Sequence, residues 1–181
     1  NLNRVYRVNN ISRRFCAGEM TVEEAQEELK EIRTNIEYGF LHKCIGYIMT
    51  SAFFAVLFGG NWLDCVAAGV VGLVLALAVT GASRLRFNDF CQNAAGSFAL
   101  AVTALLIQRL VFFSMNIDAV IISAIMPMVP GVTFTAAIRD TLNGDYSSGV
   151  ARIAEAIVVA LGVASGVGAA MVVFGMMGGG L

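Results

Sequence analysis

From Phe40 onward the chain consists of apolar blocks, each long enough to cross a bilayer, which takes roughly 20 residues of helix. The blocks run from about 40–58, 62–83, 90–113, 117–138 and 148–177. Charge is segregated away from them. Seven of the 12 basic residues and seven of the 13 acidic ones precede Cys44. The chain is 14% charged with a mean hydropathy of +0.74, whereas ordinary soluble domains are about 25% charged. The pattern predicts an all-α, polytopic membrane protein with five transmembrane helices.

The fourth block is the unusual one. Met126-Pro127-Met128-Val129-Pro130-Gly131 sits inside a run that is otherwise apolar enough to span. Each proline removes a backbone donor and clashes with the preceding turn, at roughly 3 kcal/mol in a helix interior. The segment is therefore expected to break, with the freed carbonyls met by hydroxyls such as Thr133, Thr135 and Ser123. A helix restarting at Gly131 would present free amides and a positive dipole end, which suits a carboxylate.

Residues 1–39 differ from the rest and predict an amphipathic helical hairpin. Leu2, Val5, Val8, Ile11 and Phe15 recur at helical spacing, and Gly18 is a stop. Thr21 and Glu24 form a capping box. Val22, Ala25, Leu29, Ile32 and Ile36 then line one face of a second helix, with its glutamates solvated. Lys43, Arg84, Arg86, Arg139 and Arg152 flank alternate connections. That distribution puts the hairpin and the N-terminus in the cytoplasm and the C-terminus outside. The chain begins at Asn1 rather than Met, which reads as a truncated or processed form.

Several function classes are disfavoured. A net charge of -1 without a basic stripe implies no nucleic-acid partner. Cys16, Cys44, Cys65 and Cys91 form no CxxC pair and read as free thiols, with no metal and no cofactor implied. No HExxH is present, and Gly162-Val163-Ala164-Ser165-Gly166 fits a membrane serine-protease motif only loosely, so no enzyme is expected.

Polar groups in the apolar blocks are the functional candidates, because burying them in lipid costs several kcal/mol unless they are paired. Arg109 either snorkels to the outer surface or faces an anionic substrate. Asn88 and Asp89 cap the third block, and Gln92 and Asn93 lie deeper, where they would line a cavity. His42 is interfacial. Arg139 and Asp140 form a surface pair or a gate. Glu155 either pairs with Arg152 one turn earlier or, if buried, takes up and releases a proton. Gly69, Gly72, Ala76, Gly162, Gly166 and Ala170 let helices approach closely.

The ordered series Met126-Pro127-Met128-Val129-Pro130-Gly131, Ala137-Ile138-Arg139-Asp140, Gly144-Asp145-Tyr146, Ser148-Gly149 and Arg152-Ile153-Ala154-Glu155-Ala156 resembles the threonine/serine exporter family. The hairpin, with Gly18, Thr21, Ala25 and Leu29, is similar to that of the family's longer component. The resemblance implies one subunit of a secondary-active exporter in the bacterial inner membrane, moving threonine, serine or succinate under a proton gradient. It also implies a shorter membrane partner subunit. Pro127, Pro130, Gly131, Arg139, Asp140 and Glu155 carry over as motif positions. The expected substrate site joins Pro127, Pro130, Gly131, Thr133, Thr135, Arg109 and Asn93, with Glu155 coupling to protons. A scaffold subunit and a channel are the alternatives, and a homo-oligomer fits any of the three.

Overall fold

The computed structural model describes residues 2–34, 39–85, 87–111 and 114–176. Ile36, Arg86, Phe113 and Met177 of the sequence reading lie outside these residues. The described elements are helical throughout, and they divide into two compact units, Asn1–Gly39 and Phe40–Leu181.

The first unit is a helical hairpin of α1 (Leu2–Cys16) and α2 (Val22–Thr34). Gly18 adopts a left-handed φ of 74°, which lets the chain reverse at low cost. Both bonds of the capping box are made. The Thr21 amide donates to Glu24 Oε2 at 2.8 Å, and the Glu24 amide donates to Thr21 Oγ1 at 3.3 Å. Ile11, Met20, Ala25 and Ile32 are buried between the helices. Arg14 pairs with Glu28 at 3.0 Å.

The second unit contains α3 (Phe40–Leu57), α4 (Trp62–Arg84), α5 (Asp89–Leu110), α6 (Ile117–Ile125), α7 (Gly131–Leu142) and α8 (Tyr146–Met176). α4 is central, with α3, α5 and α6 packed on it, while α8 packs on α5 and α7. Leu75, Leu100 and Val120 are fully enclosed at the middle of this bundle. Asn61, Asn88 and Asn116 cap the starts of α4, α5 and α6 with their side-chain oxygens. Such caps satisfy amides that a helix start otherwise leaves open.

Small residues set the helix spacing. A side chain at Gly72 would meet the Tyr47 carbonyl at 2.8 Å, so α3 and α4 touch backbone to backbone there. Gly162 faces the Phe90 carbonyl, and Gly166 faces the Ala94 carbonyl and the Ser97 hydroxyl. The Gly162–Gly166 spacing is thus a helix contact on α5.

α3, α4, α5 and α8 are each long and apolar enough to cross a membrane, and α6 with α7 forms a bent pair that qualifies together. The direction of α8 decides how the pair is used. Gly162 lies by Phe90, Gly166 by Ala94, and Phe174 by Arg109. α8 therefore runs parallel to α5 and starts from the side where α5 starts. α6 starts at the other end, where Asn116 bonds to Asp64 near the start of α4. The bent pair carries the chain across, which gives five crossings in a multi-pass membrane protein.

Two boundaries differ from the sequence reading. α5 ends at Leu110, before the fourth segment's cap at Asn116. α7 continues through Arg139 and Asp140 to Leu142, so the interval between the fourth and fifth blocks, 139–147, shrinks to a tight turn at 143–145. The left-handed φ of 87° at Gly144 is what permits so short a reversal.

Candidate functional site

The break is real and its backbone closes differently from the expectation. Pro127 and Pro130 cannot donate, so the remaining amides reach back by shorter steps. Met126 donates to the Ser123 carbonyl, and Val129 donates to the Met126 carbonyl at 3.2 Å. Between them lies one 3-10 turn, Met126–Met128. α6 and α7 meet at 57°. Two of the three hydroxyls expected to serve the break do not. Ser123 donates to Ala119 and Val120 carbonyls of its own helix, at 2.6 and 3.0 Å. Thr135 donates to Gly131 and Val132 carbonyls, at 3.0 and 3.1 Å. Both are used within one turn of themselves, a common fate of hydroxyls inside helices.

What the break does leave open is the start of α7. Pro130 stands at the cap position and no side chain caps the helix. The Gly131 amide is taken by the Val129 carbonyl at 2.8 Å, and the Phe134 amide by the Pro130 carbonyl at 2.9 Å. The amides of Val132 and Thr133 have no acceptor among the described residues. Nothing lies within 4 Å of where a Gly131 side chain would begin. Beside this end runs an open groove of about 510 Å³, with Ile125, Val129 and Pro130 on one wall and Ala164, Val167 and Gly168 of α8 on the other. Its lining side chains are apolar. Two free donors at a helix start, next to an apolar recess, can hold a small anion with an aliphatic body.

The predicted residues separate into those at this place and those away from it. Pro127, Pro130, Gly131 and Thr133 are gathered at the break, and Met128 packs there against Gly96 of α5. Arg109 is not. It lies 13 residues beyond Gly96, about 20 Å along the helix, in the last turn of α5, where its guanidinium rests 5.7 Å from the Phe174 ring centre. That end of a helix favours a cation. Asn93 is half-buried at the α5–α8 seam, near Gly162.

The charged series after the break builds a corner. Arg152 Nε pairs with Asp140 Oδ2 at 2.8 Å, across the α7–α8 turn. This replaces both pairs expected from spacing, Arg139 with Asp140 and Arg152 with Glu155. The tight turn brings Asp140 within ion-pair reach of Arg152 in α8. Asp145 accepts from the Ser148 amide at 3.2 Å and caps α8. Hydrogen bonds from Ser148, first from its hydroxyl and then from its amide, hold the Asp145 carboxyl below the usual carboxylate range, with help from the Arg152 charge. Gly149 fits against Ala137 and Thr141 of α7.

Arg139 and Glu155 take no part in this corner. Both are exposed and make no ion pair among the described residues. The burial on which a proton-carrying role for Glu155 was premised is therefore not supplied by this chain.

At the opposite end of the bundle lies a buried charge that the sequence reading passed over. Asp64 is only 1% exposed, the most enclosed of the charged side chains described. Its two oxygens accept from the Asn61 amide at 2.8 Å and from the Asn116 amide at 3.0 Å. The signal was there in Asn61-Trp62-Leu63-Asp64, a polar cap followed three residues later by an acid.

A family model described as "Putative threonine/serine exporter" matches residues 1–174. A protein of Corynebacterium glutamicum named "Threonine/serine exporter" is 26% identical over 172 residues, covering 93% of this chain and 35% of that protein. One of Mycobacterium tuberculosis (strain ATCC 25618 / H37Rv), named "Probable threonine/serine exporter", is 22% identical over 165 residues, covering 91% of this chain and 31% of its own length. The chain thus spans about a third of the length of these relatives. No solved structure matches it.

Proposed function

The chain belongs to the threonine/serine exporter family, and from that premise we propose that it is the part of a secondary-active exporter that binds a small carboxylate-bearing metabolite in the bacterial inner membrane. Threonine and serine come before succinate as substrates, because both relatives are named for them. The observation that carries the reading is the uncapped start of α7, where the Val132 and Thr133 amides lack acceptors beside an open groove. The substrate carboxylate sits on those amides and the helix dipole, with the Thr133 hydroxyl at hand. A basic flank at Arg84, Arg139 and Arg152 supports a cytoplasmic N-terminus and an outer C-terminus.

Glu155 is the proton-coupling residue of this proposal, in a revised form. It is a carboxylate left unpaired in the same helix that lines the groove, three residues past the Arg152–Asp140 pair. A shorter membrane partner subunit, or the further chain that the longer relatives carry, covers it. Burial by that partner then provides the setting in which protonation controls transport.

The test is efflux of labelled threonine, serine and succinate from preloaded proteoliposomes under a proton gradient, with this chain alone and with a partner. Saturable efflux of threonine and serine is expected, abolished by Gly131→Leu, whose side chain covers the free amides. Glu155→Gln is expected to uncouple efflux from the gradient at normal expression. Full efflux in Gly131→Leu would place the site elsewhere. Non-saturating conductance would point to a channel, and no efflux with any partner to a scaffold.

A further inference from the structure

We propose that the membrane unit is built as two bodies, α3 with α4 and α6, and α5 with α7 and α8, which rock against each other about the break. The groove between Pro130 and α8 opens and closes with that motion. The motion is independent of which substrate the groove receives.

The glycines show where helices are welded and where they can slide. A side chain at Gly72 of α4 would meet the Tyr47 carbonyl of α3 at 2.8 Å. One at Gly162 of α8 would meet the Phe90 carbonyl of α5 at 3.0 Å, and one at Gly149 of α8 would meet the Ala137 carbonyl of α7 at 3.2 Å. Each contact is backbone against backbone, and a carbonyl inside a helix cannot turn aside. Gly96 of α5 is different. A side chain there would meet Val79 Cγ2 and Leu75 Cδ1 of α4 at 3.0 and 3.1 Å, and Met128 Cε of the break at 3.4 Å. These are the ends of apolar side chains, which change rotamer, and methionine adapts most readily. Tight contacts thus join α3 to α4, and α5 and α7 to α8. At Gly96 the seam between the bodies runs on side-chain tips.

Polar contacts divide in the same way. Asp64 of α4 holds the Asn116 amide at the start of α6. Asp140 of α7 holds Arg152 of α8, and Arg109 of α5 rests on Phe174 of α8. Among the described residues, the one side-chain hydrogen bond between the bodies runs from Gln108 to the Met115 carbonyl at 3.4 Å, where α5 connects to α6. α6 itself packs more broadly on α3 and α4 than on α5.

The break is the joint. Its 3-10 turn packs on α3 and α6, whereas α7 packs on α8. Among the described residues, one backbone hydrogen bond spans Pro130, from the Gly131 amide to the Val129 carbonyl. A few element-terminal residues of this kind absorb the change of angle in hinged proteins. The groove lies across the joint, with Val129 and Pro130 on one wall and Ala160, Ala164 and Gly168 of α8 on the other. Nothing lies within 4 Å of where a Gly168 side chain would begin, so the walls have room to approach.

The experiment measures spin-label distances by double electron–electron resonance on the whole chain in nanodiscs, without substrate, in a background lacking the four native cysteines. Leu77→Cys with Leu161→Cys spans the bodies. Leu57→Cys with Leu77→Cys stays within the first body, and Leu110→Cys with Leu161→Cys within the second; all four positions are exposed. Two distances are expected across the bodies and one within each. Ala164→Leu and Gly168→Leu wedge the groove and should each remove one of the two distances. Unchanged distances within the bodies check that a wedge variant is folded, and either wedge suffices if the other is not. A single distance across the bodies that no wedge shifts overturns the proposal. So do two distances whose proportion the wedges leave alone, or a splitting of either pair within a body.

Discussion

Asp64 does two jobs with one carboxylate. It closes the cap of α4 through the Asn61 amide and holds the start of α6 through the Asn116 amide. A fully buried donor left without a partner costs about 1–3 kcal/mol, and Asp64→Leu takes the acceptor from two amides in part-buried bonds, so its cost falls toward the lower end. We expect that variant to unfold at a clearly lower temperature in detergent, with faster hydrogen exchange at Asn116. Asp64→Asn keeps an acceptor oxygen for one of the two amides and should recover part of the loss. A Leu variant as stable as the parent would mean that the contact is incidental. Half of this arrangement was legible in the sequence, because Asn61 and Asp64 stand three residues apart in a cap pattern. The other half was not, since Asn116 is 52 residues away and no local pattern predicts which loop will lie over a helix start. The same reason misplaced the partner of Arg152. Spacing along a helix favours Glu155, whereas the fold of the corner favours Asp140.

At the scale of the helix, the break follows from Pro127 and Pro130 almost without choice, and only its repair had to be seen. Of the hydroxyls that spacing offered, Ser123 and Thr135 are spent on their own turns, while the amides of Met126 and Val129 close the gap by a 3-10 step. Restoring both donors with Pro127→Ala and Pro130→Ala removes the cause of the bend. Spin labels at Asp118 and Leu142 should then move apart toward about 36 Å, the length of a straight helix of that span. An unchanged distance would show that packing, and not proline, holds the 57° angle. The start of α8 gives a second prediction. The Asp145 carboxyl is lowered in the fold by its bonds from Ser148. A lowered carboxyl stabilises the fold above its unfolded pKa, and that contribution is lost as pH falls through the folded value. Protection of the Ser148 and Gly149 amides from hydrogen exchange, relative to the intrinsic rate at each pH, should hold at neutral pH and fall only on acidification below the ordinary carboxylate range. Asp145→Asn should remove the pH dependence there.

For the whole molecule, the apolar blocks were legible because spanning helices need a length that composition alone reveals. The hairpin was legible from its period and its capping box. Composition does not reveal whether a bent segment crosses or turns back, and the answer rests on α8 lying parallel to α5. That arrangement assigns the connections to two sides. The turns at Leu85–Asn88 and Asn143–Asp145 share one side, and the turns at Gly59–Asn61 and Ser114–Asn116 share the other. Arg84, Arg139 and Arg152 all sit near the first pair of turns, and the rule that basic residues stay inside is the ground for the proposal that this side is cytoplasmic. Single cysteines in a background without the native four provide the check, using a membrane-impermeant maleimide on intact cells. Ser114→Cys should be labelled directly, and Asn143→Cys only after the membrane is opened. Labelling of both from outside would make α6 and α7 a re-entrant loop, which would turn α8 antiparallel to α5 and undo its glycine contacts at Phe90 and Ala94. Labelling of Asn143→Cys alone would keep the five crossings and reverse the orientation.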